Sequence, residues 1–298
     1  MSHINGIINI DKPSGITSMD VVRKIRSASG VKKVGHGGTL DPLATGVIPV
    51  AIGKATRLLE YLLMSNKSYI ARIHFGETTD TFDSEGEIIS TNVDPPLDIN
   101  VIEKTMKSFI GEIEQTPPPF SAIKKNGMRL YELARRGLDT YIQPRNVTVN
   151  EIKIINYEPP ILDLFIRCGK GFYVRSLAND LGKILGCGGY LNDLKRTSLG
   201  NFEISKSILL SKAMSIIENG DTSKIIQPIE TCVSNFERVN LSPEETTNIK
   251  NGQKIPYTLD SSIEKGYLAS AFSPKGDLAA IIMFEDKSRE WKPVKVFI

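Results

Sequence analysis

Metal-ligating and redox-active side chains are scarce in this chain. It holds three cysteines (Cys168, Cys187, Cys232) and three histidines (His3, His36, His74). None stands at metal-ligand spacing, so no metal site is expected. Cysteines that are odd in number and widely spaced also argue against a disulfide framework and for a reducing cytoplasm. No apolar run approaches a membrane span, and the N-terminus lacks the basic-then-apolar pattern of a signal peptide. The phosphate-cradling pattern Gly-x-x-x-x-Gly-Lys-Ser/Thr is missing, as are internal repeats and low-complexity segments. The polar loop from Thr78 to Gly86 superficially suggests calcium. Aligning Gly86 with the required glycine, however, puts Thr81 and Asn92 where carboxylates are needed, which excludes it.

What is present is ordinary in bulk and uneven in detail. A chain of 298 residues, 40% hydrophobic and 24% charged, is a soluble globular protein with room for one large domain and a small one. The net charge of +3 hides a pattern. Residues 1–60 carry eight Lys/Arg against four Asp/Glu, and residues 61–120 carry four against ten. Residues 121–147 and 165–200 each carry six against two. If the three basic sections fold together they form a positive face suited to a polyanion; solvated surface charge fits the same counts.

The local signals predict α and β elements in alternation. Ile4 to Ile10 reads as a strand and Asp11-Lys12-Pro13-Ser14-Gly15 as a turn. A helix capped at Thr17 or Ser18 stops at Gly30. Val47 to Ile52 reads as a buried strand, Thr56 to Met64 as a helix carrying Leu58, Leu59, Leu62 and Leu63, and Ser68 to Phe75 as a strand. A helix from Leu97 to Ile110 and a short one from Leu130 to Arg136 follow. Strands Val147–Tyr157 and Ile161–Cys168 should pair. Gly169 to Leu177 is expected to be extended before a helix, with Phe172 and Val174 facing one way and Tyr173 and Arg175 the other. Ser242-Pro243-Glu244-Glu245 is a capping box. Apolar runs at Tyr267–Phe272, Leu278–Phe284 and Val294–Ile298 then predict a small β-rich module, divided from the rest near residue 234.

One stretch concentrates chemistry. Gly35-His36-Gly37-Gly38-Thr39-Leu40-Asp41-Pro42-Leu43-Ala44-Thr45-Gly46 packs four glycines, a histidine and an aspartate into twelve residues. Gly37-Gly38 permits positive φ and close approach to a bulky ligand. Pro42 stiffens its own position and pushes Asp41 toward extended geometry, presenting the carboxylate at a rigid corner. An ordinary Asx turn fits the same spacing, and spacing alone does not separate the two.

Taken in order, these segments resemble the TruB family of bacterial tRNA pseudouridine synthases. The likeness runs through Asp11-Lys12-Pro13-Ser14-Gly15, the Gly35-to-Gly46 motif, Lys67-Ser68-Tyr69 and the Thr78-to-Gly86 loop. It continues through Ser121-Ala122-Ile123-Lys124, Leu130-Tyr131-Glu132-Leu133-Ala134-Arg135 and Gly171-Phe172-Tyr173-Val174-Arg175. The resemblance implies an α+β pseudouridine-synthase fold, a mixed and largely antiparallel sheet flanked by helices, over residues 1–233. Residues 234–298 would form a small β-rich, PUA-like RNA-binding domain. It implies cofactor-free, metal-free isomerisation of the uridine at tRNA position 55 to pseudouridine. Asp41 would be the catalytic carboxylate, acting as nucleophile at C1′, by addition to the base, or by assisting a glycal route. Arg175 would pair with it, and a bidentate fork is expected. Tyr69 would stack on the target base and relay a proton, Tyr173 and Leu194 would shape the uridine pocket, and His36 would support the flipped nucleotide.

The target base is stacked within the T loop, so it must be everted, at a cost of a few kcal/mol. Lys12 and residues 124–136 are candidates for RNA backbone contacts, with affinity falling as salt rises. The expected partner is the tRNA T arm, with no membrane and no required protein partner, and the expected state is a cytoplasmic monomer. Three rivals remain open at this point. A non-catalytic RNA-binding or tRNA-folding protein would use the same positive face, and a guide-RNA-dependent synthase would share the site. Glycoside hydrolysis would need a second carboxylate, for which the sequence offers no convincing partner to Asp41.

Overall fold

The first strand, Gly6–Lys12, shows why alternation is hard to read in its sequence. Ile8 and Ile10 join the largest core on one face of the sheet, Ile7 joins a second core on the other, and all three are fully buried. A strand covered on both faces reads as a continuous apolar run. The computed structural model describes residues 4–91, 98–121, 123–125, 127–134, 136–138, 140–257 and 263–298. The helix that follows, Ser18–Ser29, has the ends its sequence dictates. Thr17 Oγ1 accepts the Asp20 N–H at 3.1 Å, Asp20 Oδ2 accepts the Thr17 N–H at 2.9 Å, and Gly30 stops the helix at φ 66°.

The principal sheet has ten strands. Its spine runs Ile208–Leu209, Gly6–Lys12, Thr45–Ile52, Gly189–Leu199, Lys67–Phe75, Ile161–Cys168, Arg145–Glu158, Gly111–Gln115. Pairing is antiparallel except between Ile208–Leu209 and Gly6–Lys12 and between Thr45–Ile52 and Gly189–Leu199. That second parallel contact is short, Lys195 opposite Thr45 and Arg196 opposite Gly46. The strands close there only because residue 46 is glycine: at its φ of 97° a β-carbon would lie 2.2 Å from the Arg196 carbonyl oxygen. A bulge between Leu191 and Asp193 resets the alternation of Gly189–Leu199, so Leu191 and Leu194 both reach the same core. Without it, an odd and an even position would face opposite sides.

Three expectations are corrected in detail. The segment before Ser65 is a 3₁₀ turn, Gly53–Leu58, continued by a short α-helix, Leu59–Leu63, and its Leu63 is 47% exposed rather than part of an apolar face. The last strand is Glu290–Val296, which starts ahead of the predicted run Val294–Ile298 and ends within it. Tyr173 is the final extended residue and the helix is Val174–Ile184, so Val174 and Arg175 lie in a helical first turn where strand alternation no longer applies.

A second sheet, in the order Glu237–Asn240, Leu268–Phe272, Leu278–Glu285, Glu290–Val296, Ile255–Pro256, carries the helix Pro243–Lys250 with the predicted Ser242–Glu245 capping box. Its own core centres on Trp291, Ile249, Ile282 and Phe284. One further apolar cluster spans both sheets, uniting Ile7, Val47, Leu58, Leu62, Phe202 and Val233 with Phe272, Leu278, Ile281 and Phe297. Lys54 Nζ donates to the Phe297 carbonyl at 2.6 Å and Lys295 Nζ to the Arg57 carbonyl at 2.6 Å, so the two sheets are also tied by polar contacts. Among the described residues, no helix is long and apolar enough to cross a membrane.

Candidate active site

The Asp41 loop is fixed through its own backbone. Every carbonyl from Gly38 to Pro42 has a donor. Arg196 Nη2 donates to Gly38 at 3.1 Å and Nη1 to Thr39 at 3.4 Å. The buried Ser18 hydroxyl donates to the Leu40 carbonyl at 3.0 Å and accepts the Leu40 N–H at 2.8 Å. The Asp41 carbonyl takes the Ala44 N–H at 3.1 Å, and Pro42 takes the Gly15 N–H at 2.9 Å and Lys12 Nζ at 3.1 Å. The Asp11-to-Gly15 turn is therefore a clamp on the loop that carries Asp41. The close approach permitted by Gly37 and Gly38 is to the protein itself: a β-carbon would lie 2.9 Å from Leu62 Cδ1 at Gly37 and 3.3 Å from Leu199 Cδ1 at Gly38.

Arg175 is the hub. Its side chain is 6% exposed against 33% for Asp41, and Nε lies 2.9 Å from Asp41 Oδ2. That contact is an ion pair without aligned hydrogen-bond geometry, since Nε has no hydrogen-bond partner. The fork is not bidentate to Asp41. Nη1 lies 3.3 Å from Asp83 Oδ2 and donates to the Thr81 carbonyl at 3.3 Å, while Nη2 donates to the Phe120 carbonyl at 2.9 Å. One guanidinium thus ties the Asp41 loop to the 81–83 turn and the 116–121 segment. The preceding residue is held as firmly: Gln115 Oε1 accepts the Tyr173 N–H at 2.8 Å and its Nε2 donates to the Tyr173 carbonyl at 3.0 Å.

Asp83 is the second carboxylate that sequence reading did not supply. It is 3% exposed, and burial pushes its carboxyl up while Thr81, Arg175 and the Glu85 N–H pull it down. Its Oδ1 accepts from Thr81 Oγ1 at 2.6 Å and from the Glu85 N–H at 3.0 Å. Buried, with Oδ1 hydrogen-bonded and Oδ2 facing Arg175 Nη1 at 3.3 Å, it is placed to orient Arg175.

Tyr69, 7% exposed, lies on the core face of its strand, and burial raises its hydroxyl to about 12. It is a neutral phenol at working pH, and the Arg196 guanidinium beside it pulls against the effect of burial. Arg196 is fully buried, donates to the Val47 carbonyl at 2.7 Å, and has no carboxylate at ion-pair distance among the described residues. It joins Tyr69 to the Asp41 loop. Leu194 is 6% exposed and sits in the same core as Tyr69. His36 is half-buried on the strand Val34–His36, and its Nδ1 accepts the Gly38 N–H at 3.3 Å. Burial and the Arg196 charge lower its proton affinity, which keeps the ring neutral with Nδ1 as acceptor. Burial raises the Tyr173 phenol.

Lys12 is a correction. It is fully buried, and its ammonium donates to the carbonyls of Pro13 (2.9 Å), Ile16 (2.7 Å) and Pro42 (3.1 Å), so it is not available to an RNA phosphate. Arg175 and Arg196 are interior as well, so counting charges along the chain overstates its positive surface. In the predicted contact section 124–136, Asn126 and Arg135 lie outside the described residues. Asp83, Ser18 and Arg196 escaped sequence reading because long-range packing, not local spacing, gives them their partners.

Lys12→Met keeps the aliphatic stem and removes three charge-assisted bonds. It is expected to lower turnover roughly a hundred-fold through a misplaced loop and stability by about 2 kcal/mol, read from single-turnover rates and denaturant midpoints. In the wild-type chain, burial lowers the Lys12 ammonium from 10.5 to about 8. A neutral amine has too few N–H groups for three carbonyls, so turnover should fall above about pH 8. The stability effect has the opposite sign. Between about 8 and 10.5 the unfolded chain holds the Lys12 proton that the folded chain has released, so this group favours folding as pH rises.

Comparison with known proteins gives the following matches. A family model described as TruB family pseudouridylate synthase (N terminal domain) matches residues 26–174. One described as tRNA pseudouridylate synthase B C-terminal domain matches residues 175–234. The chain is similar to a tRNA pseudouridine synthase B of Dehalococcoides mccartyi, 45% identical over 99% of this chain and 97% of the relative. It is also similar to one of Clostridium kluyveri, 40% identical over 99% of this chain and all of the relative, 100%. Among solved structures, a chain of an H/ACA RNP bound to a substrate RNA containing 2'-deoxyuridine superposes with TM-score 0.76 at 27% identity, covering 98% of this chain and 85% of that one. A chain of a Cbf5-Nop10-Gar1 complex superposes with TM-score 0.76 at 29% identity, covering 98% and 83%.

Proposed function

We propose, since the chain belongs to the TruB family of pseudouridine synthases, that it isomerises the uridine at position 55 of tRNA to pseudouridine with Asp41 as its catalytic carboxylate. The observation that carries this is the one-third exposed Asp41 carboxylate, 2.9 Å from Arg175 on a loop whose carbonyls are all tied. The N1–C1′ bond breaks, the uracil turns, and C5 bonds to C1′; the C5 proton goes to solvent and N1 gains one. Bonds exchanged are bonds regained, so the protein supplies position and charge. Arg175 orients the carboxylate, Tyr69 and Leu194 bound the target base, Tyr173 closes the pocket beside Arg175, and His36 supports the everted nucleotide.

The substrate portion is the T arm, whose folded shape rather than sequence carries recognition. The C-terminal sheet acts as a PUA-like RNA-binding module over residues 234–298, and the enzyme is a cytoplasmic monomer needing no partner protein. One solved neighbour described above is a chain of an H/ACA RNP bound to a substrate RNA, so a guide-dependent mode is the second reading. The identity of 45% to a tRNA pseudouridine synthase B, against 27% to the RNP chain, favours the stand-alone one. Purified chain and a bare T-arm hairpin with 5-tritiated uridine decide between them. Tritium release without any added RNA or protein is expected; release only with a guide RNA contradicts the stand-alone reading, and none under either condition contradicts catalysis.

A further inference from the structure

Leu63 and Met64 form an exposed apolar knuckle at the rim of the site. They are 47% and 58% exposed, whereas Leu62 beside them is 2% exposed and packed in the core shared by the two sheets. The knuckle adjoins the Asp41 loop: a β-carbon on Gly38, three residues before Asp41, would lie 3.8 Å from Leu63 Cδ2. It is also stiff. Lys67 Nζ donates to the Leu63 carbonyl at 3.1 Å and to the Ser65 carbonyl at 2.8 Å, closing the end of the helix Leu59–Leu63. The Asn66 carbonyl accepts the Gly200 N–H at 2.9 Å, which pins the following turn to the sheet.

We propose that this knuckle is a stacking platform for an unpaired base of the RNA substrate, next to the base everted toward Asp41. The assignment rests on the RNA-substrate reading above and goes beyond it by naming the surface that holds the neighbouring nucleotide. Two observations select a nucleotide as occupant. The first is charge: Lys170 Nζ lies 3.6 Å from Met64 Sδ, exposed and without an ion pair among the described residues, where it can meet the phosphate of a base lying on the knuckle. The second is continuity: a β-carbon on Gly38 would lie 3.8 Å from Leu63 Cδ2, so the knuckle adjoins the loop that carries Asp41. A polarisable thioether and an isobutyl group offer an apolar, sequence-tolerant surface to a base face. Since the turn is already rigid, stacking loses little conformational freedom.

The test uses the full-length chain and T-arm hairpins carrying 5-tritiated uridine at the target. Leu63→Ser combined with Met64→Ser is expected to raise KM about ten-fold, on the scale of one lost base stack. The kcat should stay close to wild type, and Met64→Leu should keep a near-wild-type KM. Hairpins with a single abasic nucleotide beside the target, tried position by position, identify the stacked base. At one position the abasic substrate raises the wild-type KM by a similar factor and adds nothing in the double variant. An unchanged KM in the double variant, or abasic penalties that multiply fully with it at every position, overturns the proposal. So does a dimer of the wild-type chain that the same substitutions dissolve, which would assign the knuckle to a second copy. Wild-type chain that releases no tritium would instead defeat the functional reading itself.

Discussion

Asp41→Asn is expected to reduce tritium release on the order of 10⁴-fold or more, while RNA affinity stays near wild type. The change is nearly isosteric: it removes the negative charge and turns one acceptor oxygen into an NH2 donor. Apart from the Arg175 contact, the ties that hold the loop go to its backbone: Ser18 grips Leu40, Lys12 and Gly15 grip Pro42, and Arg196 grips Gly38 and Thr39. Arg175 keeps Asp83 and two carbonyls. The variant should therefore fold and bind, leaving a site that lacks only its reactive carboxylate. Paired release and filter-binding assays on the same preparation check this. A non-catalytic RNA-binding chain would show no release in wild type either, and release surviving in the variant would remove Asp41 from the chemistry.

Arg175→Lys is the second large effect. Lysine keeps the charge but concentrates its donors on one atom, whereas Arg175 reaches Asp41, Asp83, Thr81 and Phe120 with three nitrogens. A lysine that satisfies Asp83 cannot also hold Asp41 and both carbonyls. Turnover is expected to fall roughly 10²- to 10³-fold, the scale of one misplaced preorganised charge. Stability should drop by about 1–3 kcal/mol as buried carbonyls lose their donors. Because the Asp83 side chain is 4% exposed, any weakening of its cation is felt in folding as well as in rate. Comparing kcat with the denaturant midpoint separates the two effects. Near-normal turnover would show that the four-way contact is incidental.

The parts of this molecule that were legible in its sequence are those governed by neighbours a few residues away. Thr17 with Asp20, Gly30, and Ser242 with Glu245 announce helix ends because capping is a local hydrogen-bond problem. The Asp41–Arg175 contact was legible only through family resemblance, since no local rule joins a loop to a distant helix start. Arg196 and Leu194 owe their positions to bulges in one strand, and a bulge leaves no simple spacing signal. Lys12 was misread because a lysine in a proline- and glycine-rich turn ordinarily belongs to the surface. Here three inward-pointing carbonyls recruit it. Asp83 sat in a loop examined for calcium, and its actual partner is a guanidinium delivered by the far end of the fold.

The central claim concerns a single encounter, between the Asp41 carboxylate and a nucleotide drawn out of its stack. A crystal structure of the chain with a T-arm hairpin carrying 5-fluorouridine at the target tests it most directly. The expected result has that base outside the loop stack beside Tyr69 and Leu194. An Asp41 oxygen should then be bonded to the nucleoside or within about 3.5 Å of its reacting carbon, with Arg175 still in contact. A target base left stacked in the RNA, or everted into a pocket that Asp41 does not reach, would contradict the account.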